Sequence, residues 1–233
     1  MIGAAFPPEW PRSLDDPTAI RDNDWEAFRR VETMIDHWDR PGWSARRRSY
    51  HWLLTFAGND ALGALVGRCQ DAIAHLCLDL VPANSIHLTM GRLAFTDEIS
   101  ARQADGAAGA ARELCAGLSP FDLAVWPRAG SRGAVRLSVS PWRELLELHR
   151  RLHDAATIVG VAPASNSAAF RPHISIAYNN HIRPAAPVIE AVASLRSLAP
   201  VQASVAEAQL VILRRDGKAY RWEPLASVQI GTQ

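Results

Sequence analysis

Apolar positions recur along this chain with two periods, and each change of period marks a new element. Residues 50–56 are an aromatic and β-branched run that predicts a strand. Asn59 or Asp60 can cap the helix that follows, in which Leu62, Leu65, Val66, Cys69, Ile73, Leu76, Cys77 and Leu80 form one apolar stripe. Pro82-Ala83-Asn84 breaks that helix, and Ile86-His87-Leu88-Thr89-Met90 returns to strand alternation. Residues 100–118 are alanine-rich and predict a helix despite Gly106 and Gly109. Residues 121–126 and 134–139 predict two strands around the turn Gly130-Ser131-Arg132-Gly133. Ser140-Pro141 has the form of a helix start, with Leu145, Leu148, Leu152 and Ala155 following on one side. A loop of small and polar residues, 160–169, leads into a further strand, Arg171-Pro172-His173-Ile174-Ser175-Ile176-Ala177-Tyr178. Pro184 and Pro187 precede a helix carrying Val188, Ile189, Val192 and Leu195. A hairpin turned at Asp216-Gly217 then joins residues 208–213 to 219–222.

Ahead of residue 49 the pattern is weaker. Residues 1–20 contain Pro7, Pro8, Pro11 and Pro17 and read as an irregular arm. Residues 22–38 predict a helix, with Trp25, Phe28, Val31, Met34 and Ile35 at helical spacing and Pro41-Gly42 ending it. Trp10, Trp25, Trp38 and Trp43 all fall in this segment, which reads either as an arm docked on the body by those rings or as a lid or partner surface. The chain divides on this reading into an N-terminal arm with a helix, residues 1–48, and a main body, residues 49–233.

Two strands of the body carry polar side chains that a buried strand does not ordinarily hold. In an extended chain His173 and Ser175 share one face, and Ile174 and Ile176 share the other. His87 and Thr89 likewise share a face, opposite Ile86, Leu88 and Met90. The next position on the polar face is small in both copies, Gly91 and Ala177. Leu53 precedes His87 by 34 residues, and Leu137, in a comparable strand, precedes His173 by 36. Each interval holds one amphipathic helix and a proline-containing break. The body therefore predicts an α+β fold of two pseudo-symmetric strand–helix–strand lobes, with their polar faces meeting across a central cleft.

Composition narrows what such a cleft serves. At 233 residues, 48% hydrophobic and 21% charged, the chain is ordinary for a globular protein, and its net charge of +1 supplies no bulk attraction to long nucleic acid. Lys218 is the sole lysine, so nearly all positive charge is arginine. Genomic base composition accounts for that bias more readily than a need to grip phosphate bidentately. Cys69, Cys77 and Cys115 form no CxxC pair and read as reduced, buried residues. No apolar run has the length of a bilayer span, and the first ten residues lack the layout of a secretory signal, so no membrane partner and a cytoplasmic location are expected. His149 and His153 lie four apart, but arginines stand between them and no His-Glu-x-x-His arrangement is present. They read as an exposed helix face rather than a metal site.

Two imidazoles facing one phosphodiester can divide acid–base labour, one taking a proton from the attacking oxygen and the other giving one to the leaving oxygen. Both protonation states are accessible near neutrality. The hydroxyls of Thr89 and Ser175 can donate to non-bridging oxygens where charge develops. This chemistry needs no metal and no cofactor. The segments Ser85-Ile86-His87-Leu88-Thr89-Met90 and Arg171-Pro172-His173-Ile174-Ser175-Ile176-Ala177 resemble the paired motifs of the two-histidine (2H) phosphoesterase superfamily, in its 2′-5′ RNA ligase-like and cyclic phosphodiesterase branch. The resemblance spans roughly residues 50–225. It implies a bilobal fold with His87 and His173 as the acid–base pair and Thr89 and Ser175 as phosphate-binding hydroxyls. Its implied substrates are nucleotides or short RNA bearing a 2′,3′-cyclic phosphate or a 2′-5′ linkage. Arg92, Arg171 and Tyr178 are further candidates for substrate contact; Tyr178 also has the parity of the core-facing Ile174 and Ile176. Relatives often carry a basic residue where this chain has Ala-Tyr-Asn-Asn after the second motif. Rival readings are a 2′-5′ ligase acting on RNA ends, a non-catalytic module binding phosphorylated nucleotides or RNA ends, and a metal-dependent hydrolase.

Overall fold

The computed structural model describes residues 9–39, 42–44, 46–162 and 169–231. Pro7, Pro8, Pro41 and residues 163–168 of the small-residue loop lie outside the described residues. In chain order the elements are α1 (Pro17–Phe28), β1 (Thr33–Met34), β2 (Ser49–Thr55), α2 (Asp60–Ile73), β3 (Asp79–Leu80), β4 (His87–Phe95), α3 (Ala101–Cys115), β5 (Phe121–Ser131) and β6 (Ala134–Ser140). There follow α4 (Arg143–Ile158), β7 (His173–Tyr178), β8 (Arg183–Pro184), α5 (Ala186–Ser194), β9 (Val201–Val205), β10 (Glu207–Asp216) and β11 (Ala219–Gln229).

Local chemistry explains most of the boundaries. The Asn59 side chain accepts from the Leu62 N–H and opens α2. Ser100 and Gln103 form a reciprocal capping box at the head of α3, which offsets its two glycines. Gly217, at φ +57°, makes the tight turn between β10 and β11.

Three boundaries depart from the pattern. The first helix spans residues 17–28 instead of 22–38: Asp16 caps it, accepting from the Thr18 N–H at 2.9 Å, and Pro17 occupies its first turn. Met34, spaced as if helical, is instead drawn into β1, which pairs antiparallel with β8. Tertiary pairing overrides the local period there. The Ser140-Pro141 signal also fails as a helix start, because Ser140 is buried at the end of β6 and α4 opens at Arg143. The stripe assigned to one long helix ends at Ile73, followed by a 3₁₀ turn over Ala74–Leu76 and a left-handed Cys77.

Among the described residues, nine strands form one curled antiparallel sheet in the order β11-β10-β2-β4-β7-β6-β5-β9, with β3 added beside β7. The two motif strands, β4 and β7, are neighbours at its centre, with Leu88 opposite Ile174. The strand–helix–strand units β2-α2-β4 and β6-α4-β7 flank that seam. Their helices cross over: α2 packs on β5, β7 and β9, whereas α4 packs on β4 and on α3, which lies against β11. The main core contains Leu65, Ile73, Leu88, Leu137, Leu148 and Ile174, each 0% exposed, and Leu53, Val211 and Leu213 form a second, smaller cluster. α1 lies against β5 and β6. None of the helices is long and apolar enough to cross a membrane, among the described residues.

Candidate active site

Antiparallel pairing gathers the motif side chains before any detail of their rotamers matters. With Leu88 facing Ile174 across the seam, one step either way sets His87 beside Ser175 and Thr89 beside His173. All four side chains project from the same face of the sheet, opposite the Leu88 and Ile174 side chains that enter the core. The register with β6 extends this face: Ser138 opposes His173 and Arg136 opposes Ser175.

The two histidines are held by one device used twice. His87 Nδ1 lies 2.8 Å from the carbonyl of Ser85, and His173 Nδ1 lies 2.8 Å from the carbonyl of Arg171. A carbonyl can only accept, so each Nδ1 carries the proton and donates, and the lone pair of each neutral ring sits on Nε2. Both imidazoles are thus set in the same tautomer by a residue two positions upstream. His87 is 8% exposed, and its ring meets the edge of Trp222 at 5.1 Å. Burial holds its pKa below the usual histidine range, opposed by the hydrogen bond to Ser85. His173 is half-buried, Thr89 is half-buried and Ser175 is buried.

The remaining candidates are placed differently. Arg92 lies opposite His51 on β2, with its guanidinium 4.3 Å over the Phe95 ring. Arg171, two residues before His173, is buried; its guanidinium stacks 4.1 Å over Trp10, and the carboxylate of Asp24 acts on it electrostatically. Tyr178 corrects the parity expected from Ile174 and Ile176. Arg136 pairs with Ser175 and Val135 with Ala177, so Ile176 is one extra residue on β7. Beyond that bulge Tyr178 pairs with Ala134 and turns to the face that carries Arg136. Gln70 of α2 supports the bulge by donating to the Ile176 carbonyl at 2.9 Å. Tyr178 is buried, stacked on His37 at 3.9 Å, and with Tyr220 and Lys218 it walls a recess beside Ser85 and His87.

Several residues of this region carried no sequence signal. His37 joins Trp38, Tyr178 and Tyr220 in an aromatic cluster at the His87 end of the cleft. Asp24, Arg136 and Ser138 form a buried polar group beside the second motif, in which Ser138 Oγ donates to Asp24 Oδ2 at 2.6 Å. The strand patterns of β6 and the helix pattern of α1 do not say that the two meet. His149 is also corrected: it is buried, stacked on Phe170 at 4.1 Å, with Nδ1 donating to the Met90 carbonyl at 2.5 Å. Its helix face is covered by β4. Among the described residues no group of three or more His, Cys, Asp or Glu is arranged to hold a metal ion.

Comparison with known proteins gives one family and one fold. The model of a family described as the 2′-5′ RNA ligase superfamily matches residues 59–218. Escherichia coli LigT complexed with 3′-AMP is similar at a TM-score of 0.56 and 17% identity, over 80% of this chain and 100% of that one. The protein TT0787 of Thermus thermophilus is similar at a TM-score of 0.55 and 16% identity, over 80% of this chain and 100% of that one. No curated protein matches the chain in sequence.

Proposed function

This chain belongs to the 2′-5′ RNA ligase superfamily, and from that premise we propose that it is a metal-independent phosphodiesterase acting on 2′,3′-cyclic phosphates or 2′-5′ linkages of nucleotides and short RNA. The observation that carries this reading is the pair of matched imidazoles on adjacent central strands. Each is fixed in the Nδ1–H tautomer and accompanied by a hydroxyl on the same face.

The chemistry follows from that arrangement. Water attacks phosphorus as one Nε2 accepts its proton, and the P–O bond to the ribose oxygen breaks as the other, protonated imidazole delivers a proton to that oxygen. Atoms and charge balance within the pair, whose two apparent pKa values belong to both rings together. Thr89 and Ser175 donate to the non-bridging oxygens as negative charge gathers there. For a 2′,3′-cyclic phosphate the product is a 2′-monophosphate. The 3′-AMP held by the similar LigT structure supports a nucleotide-sized occupant of this fold. The near-neutral net charge favours a short substrate over a long RNA track.

The test is turnover of the four nucleoside 2′,3′-cyclic monophosphates in excess EDTA, with products separated by phosphate position. A 2′-monophosphate should form, and His87→Ala and His173→Ala should each lose about 100-fold or more in rate. Full activity in either variant, or activity abolished by the chelator, would overturn the assignment.

A further inference from the structure

We propose, building on the phosphodiesterase reading above, that α1 is a fixed wall of the cleft that confines this site to phosphoesters with a nucleotide on one side only. α1 lies wholly outside the residues matched by the family model, 59–218.

The face that α1 covers is settled by register. Ser138 opposes His173 on β7 and Trp126 on β5, so all three project from the cleft face of the sheet. α1 contacts that same face. Its Asp24 accepts from Ser138, and its Arg21 guanidinium lies 4.9 Å over Trp126. The opposite face of β5 is occupied by α2 and α5. Ahead of the helix, Trp10 stacks on Arg171 and meets the edge of Trp142, carrying the cover along the second lobe. Ile20, Asp24 and Phe28 are each no more than 3% exposed, so the helix is built into the fold rather than laid on it.

An in-line displacement puts the attacking and leaving oxygens on opposite sides of phosphorus. With one imidazole on β4 and one on β7, one oxygen faces each lobe. The group on the His173 side meets α1 within one strand spacing, about 5 Å, because Ser138 on the next strand is already bonded to Asp24. That distance admits water and does not admit a nucleoside. On the other side, the half-buried Trp222 ring meets His87 at 5.1 Å and offers an aromatic surface on which a base can stack. The substrate class is accordingly a terminal 2′,3′-cyclic phosphate, on a mononucleotide or an RNA 3′ end, whose displacement partner is water. An internal 2′-5′ linkage, flanked by nucleotides on both sides, is excluded.

The decisive experiment compares three ligands on the full-length protein: adenosine 2′,3′-cyclic monophosphate, a tetraribonucleotide ending in a 2′,3′-cyclic phosphate, and 2′-5′-linked triadenylate. The first two should agree in kcat/KM within about tenfold, and the third should fall below them by about 100-fold or more, the scale of a misplaced reacting group. Cleavage of the triadenylate within tenfold of the others would overturn the wall and leave the phosphodiesterase reading standing. If none is turned over, calorimetric titration of the same ligands separates the two claims. Binding of the first two but not the third would keep the wall and overturn the hydrolase. Equal binding of all three would overturn the wall, and binding of none would overturn both.

Discussion

Gly130→Ala tests whether α1 is seated as described. A Cβ built on Gly130 lies 2.4 Å from two carbons of the Phe28 ring and 2.5 Å from a third. Carbon atoms rest at roughly 3.5–4.0 Å, so the ring must retreat by more than an ångström. It has nowhere to go within its site, because Phe28 is 1% exposed and anchored in α1 between β5 and β6. The backbone of Gly130 is ordinary strand, paired with Val135, so the cost is steric and not conformational. Overpacking of this kind costs about 1–3 kcal/mol. Phe28→Ala alone should cost about 3–5 kcal/mol through its cavity, and that cavity accepts the alanine methyl at position 130. The double variant should therefore be no less stable than Phe28→Ala, giving a coupling of about 1–3 kcal/mol, within the range seen for residues in contact. Urea denaturation of the four proteins, compared through midpoints at a constant slope, measures it. A Gly130→Ala protein with an unshifted midpoint would refute the seating of Phe28 of α1 against β5.

Further outcomes follow from the buried polar groups. Asp24→Ala should destabilise the protein by about 3–5 kcal/mol, since it removes the carboxylate whose charge acts on the buried Arg136 guanidinium. Asp24→Asn should cost less, because its amide oxygen still accepts from Ser138; equal midpoints for wild type and Asp24→Ala would sink this account. Burial raises the Asp24 carboxyl above its usual range and lowers Arg136 to about 10, so desolvation outweighs attraction in both partners. Burial also lowers the pKa of both His87 and His149. A histidine lowered on folding binds more protons when unfolded, so its stabilisation is present above the unfolded value, about 6.5, and lost as pH falls through the folded one. The contribution of these two histidines to stability should drop from pH 7.5 toward pH 5, and His149→Gln should reduce the measured slope by up to one proton, ~1.4 kcal/mol per pH unit. An unchanged slope would mean that His149 is not buried in its neutral form.

The site was legible where it rests on alternation. His87 with Thr89, and His173 with Ser175, share a face because side chains in any strand alternate, and that reading survives into the sheet unchanged. Tyr178 was not legible in the same way. Its parity counted from Ile174 is correct only without a bulge, and the bulge at Ile176 is a property of pairing with β6 and of support from Gln70. Arg171 was a phosphate candidate by position, yet Trp10 and Asp24 face it from a segment more than 140 residues upstream. His149 was misread because a helix pattern shows which residues line up and not what covers them.

By itself the sequence determined the two histidine strands, the helices between them, the closing hairpin and the chemistry that a His-x-Thr/Ser pair can perform. Those features follow from local periodicity, capping side chains and turn residues, which act within a few positions of one another. Tertiary structure decided that β4 and β7 lie side by side, that α2 and α4 each pack against the other lobe, and that α1 packs on β5 and β6. Periodicity says which face of an element is apolar but not which surface will cover it. The Asp24–Ser138 hydrogen bond and the Phe28–Gly130 contact join residues more than 100 positions apart, and only their burial together in the folded chain selects them.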